Sequence, residues 1–175
     1  FPIFTSFTDY SQRTLFTGAF NGVWFANYAK TLGTPQFWLS LVRTLVFTAA
    51  MVVGTIAIGM AVAHLLARLG TVMRYIVTVV LIFAWAIPNV ASSVVWAWLF
   101  QPGYGILNWL LTQTHLFGDL TSTNWAQNTW LAYAEIWMLI VWQAVPFVAL
   151  TLYASQTQID PAYFEAARLD GASEW

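Results

Sequence analysis

The sequence contains no cysteine and very few charged residues. Without cysteine, the chain has neither a disulfide framework nor a thiolate metal site, and cysteine usage gives no information about its redox compartment. Charged residues make up 7% of the chain, whereas they make up about a quarter of a typical soluble domain. Because the formal net charge is only -1, the chain offers no electrostatic footprint for nucleic acid, and we expect no nucleic-acid partner.

Sequence motifs for catalysis are also missing. The only lysine, Lys30, follows Ala29 where a phosphate-binding loop requires glycine, so the chain has no Walker A site. A His-Glu-x-x-His zinc motif does not occur, and residues 171–175 lack the final glycine of a nucleophile elbow. We therefore expect no catalytic residue, no metal site and no cofactor in this chain, and any ATP has to be hydrolysed by another polypeptide.

The sequence is rich in long stretches of apolar residues. Hydrophobic residues make up 59% of it, which predicts an all-α integral membrane protein. Each of three stretches, about 44–66, 75–100 and 129–153, is long enough to cross a bilayer, which takes roughly 20 residues. We expect one transmembrane domain over residues 1–175, truncated at both ends, with an extramembrane loop at 8–38. Small residues in the first span, including Gly54 and Gly59, permit close helix packing.

The distribution of basic residues sets the orientation of these spans. Arg68 and Arg74 lie in the short 67–74 connection, whereas the long 101–129 loop has neither lysine nor arginine. The positive-inside rule therefore places the short connection in the cytoplasm. Because one further span follows the loop, the tail at 160–175 is predicted to be cytoplasmic as well.

Five residues inside the spans are candidates for lining a transport pathway: Pro88, Asn89, Glu135, Gln143 and Pro146. Each proline lacks an N–H and frees a backbone carbonyl at mid-membrane depth, where protein or water must satisfy it. One interpretation is a broken or kinked helix beside a water-filled pathway lined by the two amides, and the other is a packed kink. Glu135 is either an acid in the pathway or a hydrated acid near the outer membrane surface.

The closing stretch, 160–175, carries the signals of a short, capped helix. Asp160 is a good N-cap, Pro161 suits the first helical position, and Gly171 fits the left-handed residue just past the helix end. Residues 172–174 are then predicted to begin a second helix. The alternative is an amphipathic connector to a further span, although a flexible connector needs neither the cap nor the proline and glycine.

This tail also resembles a known motif. Glu165-Ala166-Ala167-Arg168-Leu169-Asp170-Gly171-Ala172 is similar to the cytoplasmic EAA loop of the inner-membrane permease subunits of binding-protein-dependent ABC importers. Tyr163-Phe164 before it matches the aromatic lead-in of the carbohydrate-uptake branch. Weaker similarities occur in the family's order at Asn27-Tyr28, Phe37-Trp38, Arg43-Thr44-Leu45, Pro88, Trp96–Phe100 and Gly105–Leu110.

The resemblance implies a polytopic helical bundle of the ABC importer permease type, with six core helices per permease, of which this chain holds about three complete spans. It implies as partners a second permease subunit, identical or different, two cytoplasmic ATPase subunits that hold ATP and magnesium, and an extracytoplasmic solute-binding protein. The implied ATPase-coupling residues are Glu165 for polar contact, Ala166 and Ala167 for close packing, Gly171 for the turn, and Asp170 beside it.

These features together predict a non-catalytic, multi-pass subunit of a bacterial or archaeal cytoplasmic membrane. It would move a sugar or related polar solute by alternating access, powered by ATP on a separate subunit. Three alternatives stay open. They are a permease for amino acids or peptides, an ion-coupled secondary transporter that uses Glu135, and a membrane enzyme whose nucleophile or metal cluster lies outside this sequence.

Overall fold

A computed structural model describes residues 2–18 and 20–171 of the chain. Within those residues the chain is helical apart from its loops and one isolated antiparallel bridge between Thr8 and Gly22. The all-α fold predicted from composition is therefore confirmed. A single turn of 3-10 helix, Trp125–Gln127, precedes the last long helix. The helices in chain order are α1 (Pro2–Ser6), α2 (Gln12–Thr17), α3 (Ala26–Leu32), α4 (Pro35–Arg68), α5 (Thr71–Ala86), α6 (Asn89–Leu99), α7 (Ile106–Gln113), α8 (Thr129–Gln156) and α9 (Pro161–Leu169).

Backbone contacts divide the chain into two compact units, residues 1–49 and 50–175. The boundary falls inside α4, and this helix runs through it without interruption. The division follows contacts within each unit and leaves the single transmembrane domain over 1–175 a prediction.

In the first unit, short helices occupy part of the range that the sequence predicts as a loop, 8–38. Helices α2 and α3 have six and seven residues, too few for periodicity to reveal. Tertiary bonds support the segment. The side-chain amide of Asn27 donates to the carbonyls of Ser6 and Thr8, both at 2.9 Å. Two N–H groups of Asn21, one backbone and one side-chain, donate to the carboxylate of Asp9.

Two helices are long and apolar enough to cross a membrane. Helix α4 has 34 residues with an apolar stretch of mean hydropathy 2.3, and α8 has 28 residues with a stretch of 1.8. The predicted spans at 44–66 and 129–153 lie inside these two helices. Helix α4 begins earlier than its span because Pro35 is suited to the first helical turn, and hydropathy measures apolar length rather than helix length.

The predicted span at 75–100 is interrupted at Pro88, where one interpretation of the sequence is a broken or kinked helix. This stretch consists of α5 and α6, which meet at a bend of 98° across Ile87 and Pro88. The two helices together are apolar enough to form one broken span or a re-entrant loop. The described residues therefore contain two continuous spans, or three if the bent pair is counted as one.

The second unit is built around α8, which packs along α5 and α6. Its approach to α4 is closest at small residues. A Cβ at Gly59 would lie only 2.7 Å from Cγ1 of Val148, so a larger residue there would force the helices apart. Ala63 and Ala149 are fully buried. Close packing at the glycines of the first span, as the sequence predicts, is confirmed.

Candidate functional site

The break between α5 and α6 is the first candidate site. Helix α5 ends at Ala86, Ile87 is extended with φ -69° and ψ 128°, and Pro88 precedes α6. The side-chain amide of Gln143 in α8 donates to the carbonyl of Ile87 at 2.9 Å. A carbonyl without a partner is costly in hydrocarbon, so this bond removes a penalty that the break itself creates. The structure thus brings Gln143 to the backbone beside Pro88.

The two prolines behave differently. Pro88 separates two helices, whereas α8 remains one helix through Pro146. Pro146 is buried, and it lines an apolar cavity of about 390 Å³. The other residues around that cavity are apolar as well: Ile58, Val80, Leu81, Ala84, Trp96, Trp137, Met138, Val141, Trp142 and Val145. The break predicted from proline therefore occurs at Pro88, whereas α8 continues through Pro146, and a pathway role for either proline stays a prediction.

The remaining candidates are separate from that cavity. Asn89 is the first residue of α6, and its side chain is exposed. Glu135 is partly buried in α8. Pro146 is eleven positions after Glu135 in α8, so the two lie on nearly the same side of the helix, about 20° apart around its axis. The roles of Asn89 and Glu135 in a pathway stay predictions.

Trp137 joins α8 to α4 in a way that sequence reasoning missed. Its indole N–H donates to the carbonyl of Ala50 at 2.9 Å. The ring lies where a side chain at Gly54 would be, because a Cβ built on this glycine overlaps the six-membered ring of the indole. Gly54 was noted for close packing, but no signal in the sequence paired it with a tryptophan 83 positions away.

Asn108 is the second residue that the sequence did not single out. It lies in α7 and is completely buried. Its amide N–H groups donate to the carbonyls of Phe100 and Thr123 at 3.1 and 3.2 Å, and its carbonyl oxygen accepts from the indole N–H of Trp125 at 2.8 Å. One side chain therefore holds together the end of α6, α7 and the segment that leads into α8.

The residue before α7, Gly105, has no room for a side chain. A Cβ at Gly105 would lie 2.5 Å from the carbonyl oxygen of Leu99 and 2.6 Å from that of Gln101. Further along the same segment, the side-chain hydroxyl and the backbone N–H of Thr121 both donate to the carboxylate of Asp119. These two bonds, the hydroxyl's more than the N–H's, lower the pKa of the Asp119 carboxyl. The 101–128 segment is therefore a defined structure, and α7 falls within it.

The tail contains the second candidate site, helix α9. The carboxylate of Asp160 accepts from the N–H of Ala162 at 2.9 Å, and Pro161 is the first helical residue. After the helix, the N–H of Asp170 donates to the carbonyl of Ala166 at 3.1 Å. Gly171 follows with φ +85°, in the left-handed region. The predicted cap and the glycine turn are both present.

The coupling residues named by the resemblance are all accessible on this helix. Glu165, Ala166, Ala167, Asp170 and Gly171 are exposed. Two apolar side chains beside them are also exposed, Tyr163 at 73% and Leu169 at 89%. The second helix predicted at 172–174 lies outside the described residues. Helix α9 and the turn that follows it thus present a short surface of small, apolar and charged groups.

Comparison with known proteins gives one family. Residues 54–175 match the family described as "Binding-protein-dependent transport system inner membrane component". The match begins in α4 and includes the broken span, α8 and the whole tail.

Several similar proteins are named as permeases of transport or uptake systems. The diacetylchitobiose uptake system permease protein of Streptomyces coelicolor is 39% identical over 172 residues, which cover 97% of this chain and 52% of that protein. The sulfoquinovosyl glycerol transport system permease protein of Agrobacterium fabrum is 31% identical, over 98% of this chain and 54% of that protein. The trehalose/maltose transport system permease protein of Thermococcus litoralis is 30% identical, over 84% and 48%. The chain spans about half the length of these relatives.

Proposed function

Because the chain belongs to the family of binding-protein-dependent transport system inner membrane components, we propose that it is the permease subunit of an ATP-driven importer. It is a multi-pass protein of the cytoplasmic membrane. In this proposal the subunit moves a sugar or related polar solute by alternating access. The sugar class is supported by three similar proteins, whose names specify diacetylchitobiose, sulfoquinovosyl glycerol and trehalose or maltose.

Helix α9 is the observation that carries the proposal. It is short, capped by Asp160 and closed by the left-handed Gly171, and its exposed face includes two adjacent alanines. A cap and a fixed turn hold a helix in one geometry, so a partner that pushes on it moves the chain rather than bending it. The charge asymmetry of the connections supports a cytoplasmic position for this helix, where ATP is available.

The proposal assigns ATP and magnesium to a separate pair of ATPase subunits, since this chain has no phosphate-binding loop. The family description names a binding-protein-dependent system, which supports an extracytoplasmic solute-binding protein as a further partner. A second permease subunit, identical or different, completes the assembly, and membrane lipid surrounds it. The catalytic step then belongs to the ATPase subunits, and this chain acts by changing conformation.

Uptake by a Gly171 variant tests the proposal. The full-length protein is expressed with its partners, and uptake of radiolabelled diacetylchitobiose, sulfoquinovosyl glycerol and trehalose is compared with and without an energy supply. We expect Gly171→Val to abolish uptake of the transported solute and to weaken recovery of the ATPase subunits. A β-branched residue is strained at φ +85° by about 1–2 kcal/mol, whereas membrane insertion does not depend on this turn.

Gly118→Val is the matched control. Gly118 also has a positive φ, +73°, and nothing lies within 4 Å of a Cβ built on it, but it lies in the segment predicted to be outside. This variant carries similar backbone strain and should keep uptake and ATPase association. Normal uptake in Gly171→Val, with equal amounts of protein in the membrane, would contradict a coupling role for α9.

An ion-coupled transporter is the second candidate, because Glu135 is a partly buried acid in a membrane-spanning helix. It requires solute uptake that follows a proton gradient without ATP and is lost in Glu135→Gln. If uptake depends on ATP and persists in Glu135→Gln, this candidate is eliminated.

A further inference from the structure

Arg74 makes contacts that neither the family description nor the coupling loop accounts for. It lies in the first turn of α5, and its guanidinium reaches back to the end of α4. Nε donates to the carbonyl of Leu66 at 3.0 Å, and Nη2 donates to the carbonyl of Leu69 at 2.7 Å. The guanidinium carbon also lies 5.6 Å from the centre of the Tyr153 ring in α8.

Each of these contacts has a physical reason. The last carbonyls of a helix have no partner within the helix and carry partial negative charge, so a cation that donates to them is stabilising. Leu66 is fully buried, where water is a poor substitute for that donor. The planar guanidinium donates through two nitrogens and still presents a face to an aromatic ring, which a lysine ammonium cannot do with the same geometry.

Tyr153 connects this cluster to the tail. Its backbone carbonyl accepts from the N–H of Thr157 at 3.1 Å, at the residue that ends α8. Only the short turn 157–160 then separates the end of α8 from the start of α9. Tyr153 therefore contacts the connection to the tail through its backbone and Arg74 through its ring, near the end of α8 that faces α9.

We propose that Arg74 is a positioning residue that fastens the end of α8 to the α4–α5 turn, so that a displacement of α9 moves the ends of α4, α5 and α8 as one body. The inference rests on the proposed function, since it takes the load on α9 to come from an ATPase. Without this junction, a displacement of α9 moves the end of α8 but is not transmitted fully to the ends of α4 and α5.

Distance measurements between spin labels test the junction. Cysteines replace the exposed Ala67, at the end of α4, and Ala154, near the end of α8. Residues 1–175 contain no cysteine, and any cysteine elsewhere in the full-length chain is replaced, so that only this pair carries labels. Distances are recorded in the assembled transporter in nanodiscs, without nucleotide and after trapping with ATP and vanadate. We expect one narrow distance that is the same in both states.

Four variants separate the contributions. Arg74→Ala should broaden the distance distribution and make it change with nucleotide. Tyr153→Leu should do the same while leaving the bonds to the end of α4 intact, so it decides the question if Arg74→Ala does not assemble. Tyr153→Phe keeps the ring face and should behave like the unchanged protein. Arg74→Lys keeps the charge but not the paired bonds, and should give an intermediate width.

A second readout distinguishes positioning from general destabilisation. Loss of folded protein lowers ATP hydrolysis and solute uptake together, whereas a loose junction lets hydrolysis continue without transport. In Arg74→Ala we expect the ratio of ATP hydrolysed to solute imported to rise by about two- to thirtyfold, the range for coupling modulated by one residue. In Tyr153→Phe the ratio should not change.

The outcomes separate this inference from the proposed function. Equally narrow, nucleotide-independent distances in Arg74→Ala and Tyr153→Leu would overturn the junction, even if uptake is ATP-driven. A distance in the unchanged protein that shifts with nucleotide would overturn it as well. If no ATPase associates with the full-length protein, the proposed function fails, and the distances recorded without nucleotide still show whether Arg74 holds the helix ends together.

Discussion

At the scale of single residues, amide side chains donate hydrogen bonds to the backbone where it is irregular. Asn108 satisfies carbonyls at the end of α6, and Gln143 satisfies the carbonyl of Ile87 at the broken span. The sequence predicted the break at Pro88 from a local rule, because proline removes a donor wherever it lies. It did not predict the donor that repairs the break, because Gln143 is 56 residues away and its position depends on packing.

Gln143→Met tests whether this side chain is structural or lines a pathway. Methionine has nearly the same length but no N–H, so the carbonyl of Ile87 loses its partner. We expect the purified protein to lose about 1 kcal/mol of stability, the usual size of a hydrogen bond between helices in a membrane. Thermal unfolding in detergent measures the difference.

The control for that substitution is Gln158→Met. The amide of Gln158 donates to Ala154, four residues back in an exposed segment, so its loss should leave the unfolding temperature nearly unchanged. An unchanged unfolding temperature in Gln143→Met, together with an altered choice of solute, would show instead that Gln143 belongs to the pathway.

At the scale of elements, the pairing of α4 with α8 depends on small residues opposite large ones. Gly54 receives the indole of Trp137, and Gly59 receives Val148. Composition was sufficient to predict that glycine in an apolar span marks close packing. The residues that face these two glycines could not be predicted from sequence. The packing of the whole second unit decides which face of α8 meets which face of α4. The start of α4 differs from the predicted start of its span for a related reason, because the hydropathy pattern ends the span at the charged Arg43, whereas the helix continues through that residue to Pro35.

Gly54→Ala tests this interlock. The added methyl overlaps the Trp137 ring, so the indole has to move and its bond to Ala50 is lost. Overpacking of this kind typically costs about 1–3 kcal/mol, and we expect a clear fall in the temperature of unfolding in detergent. Combining it with Trp137→Leu, which removes the overlapping ring, should restore part of the loss.

Gly70→Ala provides the comparison within the same unit. Gly70 has φ -62°, and a Cβ there meets nothing within 4 Å, so alanine should be tolerated. Equal stability of the Gly54→Ala and Gly70→Ala proteins would show that Trp137 is not held in the notch at Gly54.

At the scale of the whole molecule, the described residues contain spans of two kinds and a short helix after the last span. Continuous helices α4 and α8 provide length, the broken α5–α6 pair provides a bend held by Gln143, and α9 extends beyond the last span. The family and the class of transporter were predictable from the tail, since its cap, its alanines and its glycine all lie close together in sequence, within residues 160–171. The arrangement of the 101–128 segment around Asn108 was not predictable, because the partners of this side chain come from two stretches on either side of α7, one at Phe100 and one at Thr123 and Trp125.

The most direct test of the account is photocrosslinking from α9. A photoreactive amino acid replaces Leu169, whose side chain is 89% exposed, in the full-length protein in native membranes, and mass spectrometry identifies the adducts. If α9 contacts the ATPase, we expect an adduct with a protein that contains a Walker A motif, and we expect this adduct to be lost when Gly171→Val is added. Adducts at Leu169 only with lipid or with proteins that bind no ATP, in membranes that contain the assembled transporter, would contradict it.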